Sequence, residues 1–183
     1  IGILGHDSCL ENQGGLLQYD LEVEGQLAGV LPIRFRSDLS VDQILRCVTL
    51  CAAWQVDVLN LSWGIWGTPE LLFPTDAWDK TFQCASDEGV VIIAAAGRDT
   101  LDLPQADAHL RPATGTPGVL TIGALDPAGN AWLKPGAPDA ERSGTFLAAP
   151  MVAVVAAMMR LANDRLSAAD IRRILVETDW PGG

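Results

Sequence analysis

Apolar and polar positions along this chain fall into short blocks whose period switches between two and about 3.6. Ile1-Gly2-Ile3-Leu4 is an apolar run closed by Gly5, and predicts a buried strand. Residues 6–26 hold the turn formers Gly14 and Gly15 and an alternating segment from Leu17 to Glu24, the pattern of a half-exposed strand or hairpin arm. Gly29 to Phe35 predicts a second strand, and Pro32, which has no N–H to give a ladder, puts it at a sheet edge or a strand end. From Asp42 to Trp54 the apolar residues recur at helical spacing, with Ser40 available as N-cap.

Val56 to Ser62 is strand-like, and Trp63 to Thr75, rich in Gly, Pro and Trp, is a loop. A helix over roughly Asp76 to Glu88 is stopped by Gly89. Val90 to Gly97 is an uninterrupted apolar run, β-branched in its first half, as a parallel strand covered on both faces requires. Gly118 to Ala124 gives another strand. After a Pro/Gly-rich segment from Pro127 to Ala140, Thr145 to Asn163 is hydrophobic nearly all round and predicts a buried helix. Small Gly144, Ala148 and Ala149 would let it approach the sheet, and Pro150 suits a first helical turn. Ser167-Ala168-Ala169-Asp170 is a capping-box-like start for a last helix through about Glu177.

Repeated strand–helix units with right-handed crossovers predict an α/β fold: a three-layer, doubly wound, mostly parallel sheet with helices on both faces. Ligand sites in such sheets lie beyond the carboxyl ends of the strands. With 183 residues, no internal repeat and no long linker, residues 1–183 are expected to form a single domain.

Composition adds exclusions. Hydrophobic residues make up 49% and charged residues 19%, far from a disordered composition. The formal charge of −11, from 12 basic and 23 acidic residues, argues against nucleic acid as a partner. The longest apolar run, near Met151 to Met159, is too short to span a bilayer, so no membrane partner is expected. Cys9, Cys47, Cys51 and Cys84 lack disulfide-framework spacing, and read as buried free thiols of a reducing, cytoplasmic compartment. Cys47 and Cys51 stand i,i+4 and could share a metal with His6 or Cys9, but no recognised ligand spacing supports it, so neither metal nor cofactor is expected. A first residue of Ile1 instead of Met suggests a processed or truncated chain.

Ser143-Gly144-Thr145-Phe146-Leu147-Ala148-Ala149-Pro150 resembles the nucleophile motif of subtilisin-like serine proteases, Ser-Gly-Thr-Ser-(Met/Phe)-Ala-(Ser/Ala)-Pro. Val56-Asp57-Val58-Leu59-Asn60-Leu61-Ser62-Trp63-Gly64 is similar to the family's Val-Asp-Val-Ile-Asn-Met-Ser-Leu-Gly. Glu88 to Gly97 is similar to the strand leading to the oxyanion-hole asparagine. Arg111-Pro112-Ala113-Thr114 with Pro117 to Ala124 resembles Tyr-Pro-Ala followed by Pro-Gly-Val-Ile-Ala-Val-Gly-Ala. The four matches keep their order and spacing over nearly the whole chain, and imply a subtilisin-like fold. The compact form is loosely similar to protease domains associated with maturation of ribosomally made peptide natural products.

At the chemical positions the resemblance breaks down. Phe146 stands where the attacking serine belongs, and a benzyl group has neither lone pair nor proton for nucleophilic catalysis. Gly5 stands where the catalytic aspartate belongs, with Asp7 two residues further on. Arg98 replaces the oxyanion-hole asparagine. Leu31-Pro32-Ile33-Arg34-Phe35 resembles the strand after the histidine helix, which leaves that helix deleted; reading Gly25 to Gly29 as its remnant also yields no imidazole. His6 and His109, the only imidazoles, read as loop residues.

The implied function is a catalytically inactive pseudoprotease that binds a peptide or regulates a partner such as an active subtilase paralogue or a precursor peptide, alone or in a homo- or hetero-oligomer. Leu61, Ser62, Trp63 and Gly64 resemble the family's substrate-bordering strand, where an extended peptide would add by strand pairing, with Trp63 and Trp66 as aromatic surface. Phe146 is expected to fill the former catalytic crevice. The alternatives are a hydrolase with a relocated nucleophile, Ser143, Ser62 or a cysteine, and a purely structural subunit.

Overall fold

A computed structural model of the chain describes residues 2–5, 22–23, 26–27, 29, 31–34, 41–62, 75–96, 116–125 and 145–178. The elements are β1 (Gly2–Gly5), β2 (Glu22–Val23), β3 (Gln26–Leu27), β4 (Leu31–Arg34), α1 (Val41–Ala53), β5 (Val58–Leu61), α2 (Thr75–Asp87), β6 (Val91–Ala95), β7 (Val119–Ile122), α3 (Thr145–Ala162) and α4 (Ala168–Glu177). Five strands make one sheet in the order β4-β1-β5-β6-β7, and every pairing in it is parallel. β2 and β3 form a separate antiparallel hairpin.

Strand order and crossover handedness together decide which face each connection occupies. The steps β4 to β5 and β5 to β6 move in one direction along the sheet and carry α1 and α2. The step β1 to β4 moves the opposite way, so a right-handed crossover puts its hairpin on the opposite face. Packing agrees: α1 and α2 lie against each other on one face, while the hairpin strand β2 lies against α3 on the other.

Side chains alternate across the buried strands as a period of two demands. Leu59, Leu61, Ile92 and Ala94 enter one core with Ile44, Val48 and Cys51 of α1 and Trp78 and Phe82 of α2. The Trp78 and Phe82 rings stack with centroids 4.7 Å apart, tilted by 30°. Trp78 Nε1 donates to Thr116 Oγ1 at 3.0 Å, which satisfies the indole where it is buried. Val58, Val91, Ile93 and Ala95 enter the second core, closed by Ala149, Ala153, Ala156 and Ala157 of α3 and Ile171 of α4. An alanine face allows the helix axis to approach the sheet closely.

Helix ends follow local chemistry. After α2, Val90 N–H bonds Ala85 C=O and Gly89 N–H bonds Ser86 C=O, both at 3.1 Å, with Gly89 at φ 99°; this is a Schellman stop that feeds directly into β6. α1 ends in the same way, with Gln55 at φ 53° in the left-handed position. At α4, Ser167 and Asp170 form the full capping box expected from their spacing.

Three expectations need correction. Pro150 is the sixth residue of α3 instead of a first-turn residue; the helix begins at Thr145, and the missing N–H leaves only the Phe146 carbonyl without its i+4 donor. α3 is not covered all round: the sheet, α4 and β2 pack against it, yet Met151, Val155 and Met158 are 64%, 46% and 42% exposed. Cys84 is exposed on α2, whereas Cys51 is buried and Cys47 half-buried; Cys9 lies outside the described residues.

A candidate crevice at the carboxyl ends of the strands

The direction of α3 locates the crevice. In the last turn of α3, Arg160 Nη2 donates to Gly89 O at 3.0 Å and Nη1 to Leu166 O, and Nε lies 3.5 Å from Asp57 Oδ1. Nε makes an ion pair with Asp57 and no hydrogen bond. Asp57 and Gly89 precede β5 and β6, so α3 ends at the amino ends of the strands. Its 18 residues rise roughly 27 Å, more than the ~17 Å of a five-residue strand, which carries Thr145 and Phe146 to the carboxyl ends. The same end of the sheet holds the last residues of β1 at Gly5, of β5 at Leu61 and of β6 at Ala95.

At this end α3 contributes the buried hydroxyl of Thr145, and β5 contributes a buried polar pair. Asn60 and Ser62 are both fully buried, and Asn60 Nδ2 donates to Ser62 Oγ at 3.0 Å. One residue beyond the Leu4–Leu61 pairing, the register brings Gly5 beside Ser62. Glycine supplies no carboxylate. Ser62 Oγ is bonded to an amide, which accepts no proton at neutral pH, so this pair leaves the hydroxyl unactivated.

The thiols lie elsewhere. Cys51 belongs to the opposite core, and burial, reinforced by neighbouring Cys47, pushes its thiol up to about 11. Burial also pushes up the Cys47 thiol. A nucleophilic cysteine needs the reverse shift. Among the described residues no His, Cys, Asp and Glu are grouped to hold a metal, and no helix is long and apolar enough to cross a membrane.

Of the residues singled out in the sequence, Gly5 ends β1 and Phe146 is the second residue of α3, its side chain lying outside the described residues. Arg98, Trp63, Gly64, Trp66, Asp7, His6, His109 and Ser143 also lie outside them. Leu61 and Ser62 are 1% and 0% exposed, and β5 pairs with β1 on one side and β6 on the other. Leu61 therefore offers no free strand edge, and a peptide cannot pair with β5 over Leu59–Leu61.

Sequence reasoning overlooked Asn60, although a polar residue two positions from Ser62 on an otherwise apolar strand was a readable signal. It also overlooked the clamps at the amino ends. Besides Arg160, Arg172 Nη1 donates to Ser86 Oγ and to Gly118 O, joining α4, α2 and the turn before β7.

No protein-family model matches the chain, and no curated protein matches its sequence. Solved structures do resemble it. A lanthipeptide protease superposes with a TM-score of 0.62 at 16% identity, over 84% of this chain and 64% of its own. The nisin leader peptidase NisP from Lactococcus lactis gives 0.66 at 13% identity, over 87% of this chain and 64% of its own. Fervidolysin from Fervidobacterium pennivorans, a keratinolytic enzyme related to subtilisin, gives 0.61 at 21% identity, over 85% of this chain and 29% of its own. This chain thus spans less than two thirds of the length of each of the three. A parallel sheet wrapped on both faces, a helix beginning at Thr145 at the carboxyl ends of the strands, and these superpositions together make the fold of this chain subtilisin-like.

Proposed function

We propose that the chain is a catalytically inactive subtilisin-like domain that binds a peptide or regulates a protein partner instead of cleaving one. The observation that carries this reading is the identity of the residues at two chemical positions: Phe146 at the start of α3 and Gly5 at the end of β1. Neither can attack a carbonyl, orient an imidazole or accept a proton. Arg98, in the asparagine's place, stabilises an oxyanion only if some nucleophile first creates one.

The partner class follows from the neighbours, one a lanthipeptide protease and another a nisin leader peptidase. A precursor peptide, or an active subtilase that processes one, is the partner proposed here. Contact is assigned to Trp63 and Gly64, which follow the buried Leu61 and Ser62 in sequence. The working compartment is cytoplasmic, where exposed Cys84 stays reduced. Burial of Ser62 against Asn60, and the raised thiols of Cys47 and Cys51, weigh against a hydrolase with a relocated nucleophile at those positions.

The test pairs activity with binding. The expected outcome is no fluorophosphonate labelling, no turnover of peptide or ester substrates by the chain or its Phe146→Ser variant, and saturable calorimetric binding of a leader-type precursor peptide or an active subtilase. Labelling abolished by Ser143→Ala would overturn the inactive reading. A protein that binds neither candidate would overturn the binding reading.

A further inference from the structure

Two polar side chains interrupt the apolar floor on which α3 lies. Val58, Asn60 and Ser62 are alternate residues of β5 and its exit, so all three face the α3 side of the sheet. Val58 joins Ile93, Ala95 and Ala149 in the core on that side. Asn60 is paired with Ile3 of β1 and Ile93 of β6, an apolar neighbour on each side. Both Asn60 and Ser62 are 0% exposed, so each gave up its water to make their mutual bond. Replacing both partners of such a buried pair by apolar groups of like shape is close to neutral or stabilising. Stability alone therefore gives no reason for the pair.

Its place in the strand does give one. The pairings of β5 with β1 and with β6 both run to Leu61. Ser62 is one residue past the last pairing, and its Oγ accepts from Asn60 Nδ2, 3.0 Å away. A bond between side chains two residues apart on one face ties consecutive pleats together. It restrains ψ of Asn60, both dihedrals of Leu61 and φ of Ser62, the torsions that aim the chain as it leaves the sheet. Asn60 is a firm anchor for this, because its own backbone lies inside the ladder on both sides.

We propose that Asn60 is a positioning residue: through Ser62 it fixes the course on which β5 leaves the sheet toward Trp63 and Gly64, and so prepares the peptide contact. This rests on the contact assigned above to Trp63 and Gly64. The role moves no proton and needs no nucleophile, so it persists where Gly5 and Phe146 have removed the chemistry. It acts by preorganisation, since a segment already held on its bound course loses less freedom when a peptide arrives. Releasing about one residue's worth of backbone freedom weakens binding about tenfold.

The test removes the bond from either side. Asn60→Leu keeps the size of the side chain and Ser62→Ala only deletes an atom, so the second carries the test if the first loses its native circular dichroism. In both, backbone hydrogen exchange read by mass spectrometry should quicken at least about tenfold in the fragment covering residues 61–66. The fragment covering β6 should stay as protected as in the parent, and the thermal midpoint should hold or rise. Calorimetry with a synthetic leader-type precursor peptide should give a dissociation constant about tenfold higher in each variant, and no higher in the double variant, since both changes delete one bond. Unchanged exchange over residues 61–66 would overturn the positioning role whether or not a peptide binds. Faster exchange with undiminished affinity, or additive losses in the double variant, would overturn it as well. A parent that binds no peptide, with exchange still faster in both variants, would remove the peptide reading and uphold the tie from Asn60 to Ser62.

Discussion

Gly118→Ala isolates one steric claim about how the sheet is closed at its amino end. Gly118 has φ 81°, and a Cβ built on it would stand 2.7 Å from Ser86 Cβ and 3.0 Å from Ser86 Oγ. Its carbonyl also accepts from Arg172, whose guanidinium is bonded to Ser86 Oγ at the same time. Left-handed backbone costs an L-residue about 1–2 kcal/mol, and forcing a methyl into packed atoms costs about 1–3 kcal/mol. Together they predict a loss of about 3 kcal/mol, taken from a stability of about 5–15 kcal/mol for a typical domain. For a protein of this size that lowers the thermal midpoint by roughly 6–12 °C. Urea and thermal unfolding followed by circular dichroism give the number. Ser86→Gly removes both clashing atoms, so in its presence Gly118→Ala should cost about 1–2 kcal/mol less than in the parent, even though Ser86→Gly itself weakens α2 by about 1 kcal/mol. A loss below about 0.5 kcal/mol in the parent, or strict additivity in the double variant, would refute the packing argument.

Two other measurements test local chemistry. The Ser167 hydroxyl and backbone N–H, with a smaller contribution from Arg173, hold the Asp170 carboxyl below its ordinary value of 3.8. A lowered carboxylate stabilises the fold above the unfolded value and loses that contribution as pH falls through the folded one. Asp170→Asn should therefore melt earlier than the parent at neutral pH, and the two melting curves should converge at the acid end; parallel curves down to the acid limit would refute the capping assignment. With iodoacetamide at pH 8, peptide mass mapping should find Cys84 alkylated in the native protein and Cys51, fully buried with its thiol pushed up to about 11, only after denaturation. Equal native rates at the two sites would contradict the packing of α1 on the sheet.

Features governed by neighbours in sequence were legible; those governed by distant ones were not. The apolar run around Ile92 admits only a strand covered on both faces, Gly89 marks a helix stop, and Ser167 with Asp170 marks a helix start. Pro32 falls on the edge strand, where a missing donor harms no interior ladder. Arg160 reaching Gly89 and Arg172 reaching Ser86 and Gly118 span dozens of residues, and no local spacing announces them. The bare face of α3 was hidden for a related reason. Periodicity reports that a helix is apolar all round, but the number of layers laid over it is decided by the rest of the chain. At the crevice, the resemblance of motifs located Gly5 and Phe146, yet burial of Ser62 against Asn60 emerged only when β5 was seen paired on both sides.

The described clamps and the candidate crevice occupy opposite ends of the sheet, and on the proposed inactive reading that separation lets the chemical positions change without disturbing the fold. Arg160 and Arg172 tie α3, α4 and α2 to the turns that precede β5, β6 and β7. The chemical positions, Gly5 and Phe146, lie where β1 ends and α3 begins, and neither takes part in those ties. Substitution at the carboxyl ends thus leaves the amino-end clamps and the alanine-lined contact of α3 with β5 and β6 in place. The converse also holds. Phe146→Ser restores a hydroxyl at the head of α3 but no carboxylate at Gly5 and no imidazole, and a triad that acts as a unit returns little rate from one member alone. On the proposed reading, regaining hydrolysis would require rebuilding the segment between β1 and β4, where the resemblance puts the missing histidine helix, and changing the nucleophile residue alone would not suffice.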